Sequence, residues 1–422
     1  MWLRYIRSIA LSFLAVLACV GANNWLIDPF GIFDSPVIAN LNGKKTEAVR
    51  HGRLNKFATL ERQHPRTLII GSSRAEYGLD PEHPGFSERP VYNFAILGPR
   101  INEFLRMFQH VIQINRPQSV LFAVDFFVFN TNMPTEPDFS DARFAADPVG
   151  DVRLSYPIDR LKERTAVLLS MDTLVASWTT IFSQTNGSRF MLNNGLQDRS
   201  YVDDEIRTMG GYQKSFRSTE RAYLHDVIFP APSHEFALSD PRTHRSTLDN
   251  FAEILRLCHD NHIQLTLMIS PIHARLLETI RVAGLWDTYE EWKRQLVMLN
   301  DLAATTKHNA AFPFWDFADY HAINREAVPD KTDNSTTTAW WWESSHYKKQ
   351  LGDIVLDRIF DIPAPMGIDS EHFGTLITSN NIDEHLQQIR ARQQHYESTH
   401  PTDVSEIESL RAFIADLKKT SP

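Results

Sequence analysis

The sequence predicts an α/β chain, a parallel sheet doubly wound between two helical layers and carried behind an amino-terminal membrane helix. Three observations predict it. Short apolar runs that stop at a glycine or a polar residue alternate with helical periodicity from Thr67 to Asp125 and again from Ser246 to Ile359. An uncharged run fills Ser8 to Ile27. Between residues 131 and 240 the alternation stops, which marks a largely helical insertion. Strand, helix and strand in this rhythm place helices on both faces of a parallel sheet.

The membrane helix comes first. Arg4 and Arg7 precede the uncharged run, which matches the ~20 residues a spanning helix needs. The cationic start keeps the amino terminus in the cytoplasm and sets Trp25 at the outer interface, so the remainder is expected on the extracytoplasmic, periplasmic side. Two other readings stand beside the anchor. Val20-Gly21-Ala22 has the small residues of a cleavage site, and Val16-Leu17-Ala18-Cys19 resembles a lipoprotein box. The run continues through Trp25-Leu26-Ile27, past the cut, which favours an uncleaved single-pass anchor over residues 8–27. Asp28-Pro29-Phe30-Gly31 then turns the chain out of the membrane.

Residues 34–64 read as a linker and a helix over Glu47 to Arg62, followed by the first strand, Thr67 to Ile70. Val91 to Gly98 is a second apolar run, and Ile101, Phe104, Leu105, Phe108, Val111 and Ile112 recur at helical spacing behind it. Ser119 to Asp125 is a third strand. The insertion, 131–240, holds helices over Ile158 to Leu169 and Thr173 to Phe182 among loops with Asn186-Gly187 and Gly210-Gly211, and is expected to wall the sheet's carboxyl edge. A helix over Ser246 to His262, a strand over Gln264 to Ile269, a helix over Trp286 to Thr306 and a short strand over Phe312 to Phe317 resume the rhythm. A last helix through Leu351, Ile354, Val355 and Ile359 closes the main unit, residues 65–362, leaving 363–422 as a charged helical tail.

With 43 Lys+Arg against 52 Asp+Glu the chain is mildly acidic, which argues against nucleic acid as a partner. Its two cysteines, Cys19 and Cys258, are in no metal-ligand spacing, and Cys19 lies inside the membrane run, so no structural disulfide is expected. His259 and His262 lack carboxylate support for a metal, and no cofactor is expected.

Ligands of parallel sheets bind at the carboxyl ends of the strands, where Ser73, Gly98 and Asp125 are expected. A serine there becomes a nucleophile only if a histidine takes its proton, and the histidine needs an acceptor to fix its tautomer. Glu343, three residues ahead of His346, supplies such a pair. Other readings remain open. Ser72 and Ser73 also suit helix caps, and Asp125 suits loop N–H groups as well as a site. Arg74 reads as an anion contact or a local ion partner, and His273 as a spare base or a structural histidine. Trp340 to Trp342 would stack on sugar rings or cap the core.

Gly71-Ser72-Ser73, Gly98 and Glu343-Ser344-Ser345-His346, in this order, resemble the blocks of the SGNH or GDSL-type hydrolase superfamily. The nearest likeness is to its membrane-anchored branch, which includes D-alanyl-lipoteichoic acid transfer and alginate O-acetylation proteins. The resemblance covers residues 67–130 and 246–360. It implies a flavodoxin-like three-layer fold and a serine esterase or O-acyltransferase acting on an acylated envelope glycan or related polymer. Partners in envelope acyl transfer or polysaccharide export follow from it. It makes Ser73 the nucleophile with Ser72 as the alternative, His346 the base, Glu343 its orienter, and the N–H groups of Ser73 and Gly98 the oxyanion hole. Two departures stand out. The third block's asparagine is missing after Val124-Asp125, leaving Asn130 as a substitute, and glutamate replaces aspartate ahead of the histidine, leaving Asp316 as a second orienter. An inactive binding or assembly component of an envelope polysaccharide system is the alternative function.

Overall fold

The arginines and the uncharged run behind them form one helix, α1 (Trp2–Ile27), 26 residues long and apolar enough to cross a bilayer, with most side chains facing outward. It ends at Asp28, whose carboxylate accepts the Ile32 N–H at 2.8 Å and the Phe33 N–H at 3.1 Å. A 3-10 turn, Thr46–Val49, then precedes α2 (Gly52–Gln63), so that helix begins later than Glu47. The computed structural model describes residues 2–185, 189–333, 335–365, 370 and 372–419.

β1 (Thr67–Gly71) leads into α3 (Ser73–Gly78), and β2 (Val91–Asn93) into α4 (Ile101–Ile114) and β3 (Ser119–Val124). The insertion carries α5 (Tyr156–Leu168), α6 (Met171–Phe182), α7 (Val202–Thr208) and α8 (Tyr212–Ala222), with a π-helical turn at Tyr223–Ile228. The sheet resumes through α9 (Thr247–Asp260), β4 (Gln264–Ile269), α10 (Ala274–Val282), α11 (Trp286–Lys307) and β5 (Phe314–Asp316). The chain finishes with α12 (Lys349–Ile359), β6 (Thr375–Leu376), α13 (Ile382–Thr399), α14 (Pro401–Glu408) and α15 (Leu410–Lys419).

The fold is α/β. Among the described residues six strands lie in the order β2-β1-β3-β4-β5-β6, the first five parallel. The sheet is nevertheless mixed, because β6 pairs antiparallel with β5 as a two-residue edge, an addition that parallel sheets commonly carry. Successive strand residues face opposite sides. Leu68, Ile70, Val120 and Phe122 enter one core with α4, α9 and α11. Ile69, Leu121, Ala123 and Met268 enter the other with α3 and α12. The strands are apolar throughout because both faces are covered. The order reverses between β1 and β3, so the crevice at their carboxyl ends is the natural ligand site.

Two strands are shorter than their apolar runs. Beyond Asn93 the chain still follows β1, with the Phe94 N–H on Ile69 O at 2.8 Å and the Ile96 N–H on Gly71 O at 3.0 Å, but it makes no further regular ladder. β5 starts only at Phe314, since Pro313 has no N–H and offers just its carbonyl, to Leu267, at 2.8 Å.

The insertion divides its work. Residues between Leu192 and Asp203 line a cleft against Tyr77 of α3 and Trp342, and Tyr223 reaches Arg74, whereas α5 and α6 pack against α1 instead of walling the sheet. The Gly210-Gly211 turn lies between α7 and α8, and Asn186-Gly187 lies outside the described residues. The segment after residue 363 is helical from Ile382 and belongs to the core, contributing Leu386, Ile389, Tyr396, Ile407 and Ile414 to the same cluster as Phe122.

Candidate active site

The site starts at a close approach. A Cβ on Gly71 would lie 2.7 Å from Ala75 Cβ and 3.0 Å from Ala123 Cβ, so only glycine lets β1, β3 and α3 meet here. Ser72 is the N-cap of α3: its Oγ accepts the Arg74 N–H at 3.4 Å and donates to Asp125 Oδ2. Its hydroxyl therefore points inward and is occupied. Ser73, the first helical residue, is partly exposed and directs its Oγ to His346 Nε2 at 2.7 Å.

His346 comes from a tight loop before α12, held by the Trp342 N–H on His346 O at 2.9 Å and the Lys348 N–H on Trp340 O at 2.7 Å. Within it the Glu343 carboxylate folds back across the turn. It accepts the Ser345 N–H at 2.8 Å, the His346 N–H at 3.0 Å and His346 Nδ1. The extra methylene relative to aspartate is taken up by this loop. Burial alone would raise the Glu343 carboxyl, but His346 and the Ser345 N–H hold it below its ordinary value. With the Nδ1–H donated to the Glu343 carboxylate, the network assigns Nε2 as the acceptor facing Ser73. The Tyr77 ring lies 5.0 Å from the imidazole.

Beneath the serine, Arg74 joins four parts of the chain. Its guanidinium meets Asp125 Oδ1 at 2.6 Å, Ser345 O and Ser345 Oγ at 3.0 Å each, and Tyr223 OH at 3.3 Å. Burial disfavours the cation, but Asp125 outweighs it and pushes the Arg74 pKa above its usual value. Arg74 and Asp125 thus act as a local pair that fixes the serine turn to the histidine loop, and neither is open to a substrate. Behind them, buried Lys56 pairs with Glu76 of α3 at 3.1 Å.

The remaining candidates separate. Gly98 adopts φ +53°, two residues past the Ile96 N–H that bonds Gly71 O. Glu136 Oε1 lies where a Gly98 Cβ would stand. Asn130 does not replace the missing asparagine. Its amide donates to Val227 O and Ile228 O, and its Oδ1 accepts the N–H groups of Asn132 and Ala237, so it ties loops together. Asp316 is not the orienter of His346, being buried between Lys293 Nζ at 2.6 Å and His385 Nε2 at 2.9 Å. His273 is structural: it caps α10 by accepting the Arg275 N–H at 3.2 Å, bonds Glu326 O at 2.8 Å, and is pushed down to about 4 by burial. Trp341 caps the core through the Ile323 carbonyl at 2.9 Å, while Trp342 edges a cleft.

That cleft, about 620 Å³, adjoins the serine through Tyr77 and the histidine loop through Trp342. Arg199 lies over both rings, 4.1 Å from the centre of Tyr77 and 5.8 Å from that of Trp342. Nothing in the sequence marked Arg199 or Tyr223, which arrive from the insertion. A hydroxyl, an imidazole and a carboxylate in line have the parts needed for acyl transfer; the cleft lies beside them, lined by Tyr77 and Trp342 and not by Ser73, Glu343 or His346. No family model, no curated protein and no solved structure matches the chain.

Proposed function

We propose that the chain is a membrane-anchored, extracytoplasmic serine esterase or O-acyltransferase of the SGNH type, acting on an acylated envelope glycan or related polymer. The observation that carries this reading is the line Ser73 Oγ, His346 Nε2 at 2.7 Å, and Glu343 on His346 Nδ1. The 2-1-3-4-5 order of the parallel strands, with Ser73 at the switch point, supports it and is the order of flavodoxin-like sheets.

In this mechanism Ser73 Oγ attacks the acyl carbonyl carbon as its proton passes to His346 Nε2. Glu343 stabilises the imidazolium. The oxyanion is held by the Ser73 N–H, an amide at a helix start with no acceptor within its own helix, and by the Gly98 N–H. His346 then returns the proton to the leaving alkoxide, which gives an acyl-Ser73. Water or a sugar hydroxyl, deprotonated by His346, attacks this ester, and the released Ser73 oxygen recovers a proton from the imidazolium.

A second reading, a binding component without turnover, is favoured by two specific observations: the Asn130 amide is engaged elsewhere, and the Glu136 carboxylate lies over Gly98. Turnover of an aryl acetate by the full-length protein separates the two. The enzyme reading expects release of aryl alcohol that is lost in Ser73→Ala and retained in Ser72→Ala; release equal in Ser73→Ala and wild type, or none at all, supports the binding reading.

A further inference from the structure

Helices α5 and α6 are built inside out. On α6 the small residues Thr173, Ala176, Ser177 and Thr180 are buried against the protein. Its large apolar residues Met171, Val175, Trp178 and Phe182 form the opposite stripe, and Val175, Trp178 and Phe182 are 64%, 52% and 75% exposed. A helix in water reverses this arrangement; a helix facing lipid packs through small residues and turns its bulk outward. On α5 Arg160 is docked, reaching Glu61 of α2 at 2.7 Å, while Ile158 and Leu161 face out together with Lys162, a long cation that reaches headgroups from an apolar face.

What covers this face follows from its attachment to α1. A Cβ on Gly21 would lie 3.4 Å from Leu169 Cδ2 and 3.7 Å from Leu168 Cγ. The buried Asn24 amide donates to Leu168 O at 2.9 Å and Ser170 O at 3.0 Å, and its Oδ1 accepts from Ser177 Oγ at 3.2 Å. At 1.5 Å per residue, Gly21 is roughly 20 Å along α1 from Ser8 and roughly 28 Å from Trp2. Both distances fall within the ~30 Å hydrocarbon thickness. A bilayer that holds α1 therefore reaches the Leu168–Ser170 bend. Asn24 supplies that bend's exposed carbonyls with donors, as a polar group at such depth requires.

We propose that α5 and α6 form a bent interfacial pair whose outward apolar stripes insert into the outer leaflet beside α1, giving the catalytic unit a second hold on the lipid surface. Each helix is too short to span, with 13 and 12 residues and a 62° bend between them. They lie in the boundary region, where Trp178 suits the interface. The α6 carboxylate Asp172 opens instead onto a cavity it shares with Arg50 and His51. This inference depends on α1 being in the membrane and not on the chemistry of Ser73.

The test uses full-length protein in phosphatidylcholine and phosphatidylglycerol vesicles, with single nitroxide labels on L14C, V175C, F182C or M298C in a Cys19→Ser background, Cys258 being buried. Leu14 reports α1, and exposed Met298 on α11 reports the aqueous domain. Labels at 175 and 182 are expected to lose collisions with a water-soluble nickel chelate and to retain collisions with oxygen, as the label at 14 does and the label at 298 does not. Chelate access at 175 and 182 equal to that at 298 overturns the proposal. Exclusion of both reagents also overturns it, since that marks a protein partner or a second copy on this face.

Discussion

The Arg74 guanidinium and the Asp125 carboxylate meet at 2.6 Å, 51 residues apart in sequence and both shut away from solvent, directly beneath the turn that presents Ser73. Removing one member of such a pair strands a buried charge. Asp125→Ala is therefore expected to lower the unfolding free energy by about 3–5 kcal/mol, read from denaturant titration in detergent. Arg74→Lys keeps the charge but gives up the fork that spans Asp125 and Ser345, and is expected to reduce turnover more than stability. A loss within about 0.5 kcal/mol for Asp125→Ala would be the size of an ordinary surface substitution and would remove the pair from the account.

Ser72 and Ser73 are neighbours with opposite duties. Ser72→Ala removes the cap and its bond to Asp125, at an expected cost of about 0.5–2 kcal/mol, with acyl turnover preserved. Ser73→Ala is expected to leave the unfolding curve in place and to lower kcat by a factor on the order of 10⁶. Paired melts and initial rates on the two variants check this, and the reverse pattern would move the nucleophile to Ser72.

Glu343 is expected to act through His346 without touching the substrate. Glu343→Gln keeps the shape but lets the imidazole settle in the other tautomer, with an expected loss of about 10⁴ in kcat and little change in KM. Glu343→Asp is expected to recover part of that rate. A rise in KM at unchanged kcat would assign Glu343 to binding.

Acid destabilises this fold through histidines buried without charge. His273 is pushed down to about 4 and His110 to about 3, in both cases first by burial, from the ordinary 6.5. Below pH 6.5 the unfolded chain takes up protons that the folded one refuses, so their stabilisation is complete above that value and is lost as pH falls toward 4 and then 3. Glu220, pushed up to about 7 by burial, works in the opposite sense, so the measurement compares variants. Wild type is expected to lose Tm relative to His273→Asn, which keeps an acceptor for the Arg275 N–H, as pH drops from 6.5 to 4.5. A constant difference between the two melts contradicts this.

Much of the sheet was legible because burial on both faces leaves Thr67–Gly71, Ser119–Val124 and Gln264–Ile269 with no polar alternation to obscure them. The histidine and its carboxylate were legible because they share one turn. Ser73 could be preferred to Ser72 in the sequence only by register; in the structure the direction of each hydroxyl separates them. What stayed hidden depends on long-range contact. Arg74 with Asp125, Lys56 with Glu76, Tyr223 against Ser345 and the docking of Ile389 and Ile414 into the main core join segments whose spacing carries no local pattern. Likewise α6 reads as an ordinary amphipathic helix until Asn24 shows which of its sides faces the protein.

Activation of Ser73 as a nucleophile by His346 is tested by intact-mass and peptide mapping of full-length protein treated with a fluorophosphonate. One adduct on the peptide containing Ser73 is expected in wild type, absent in Ser73→Ala and formed far more slowly in His346→Ala. No adduct, or the same adduct persisting in Ser73→Ala, would contradict it.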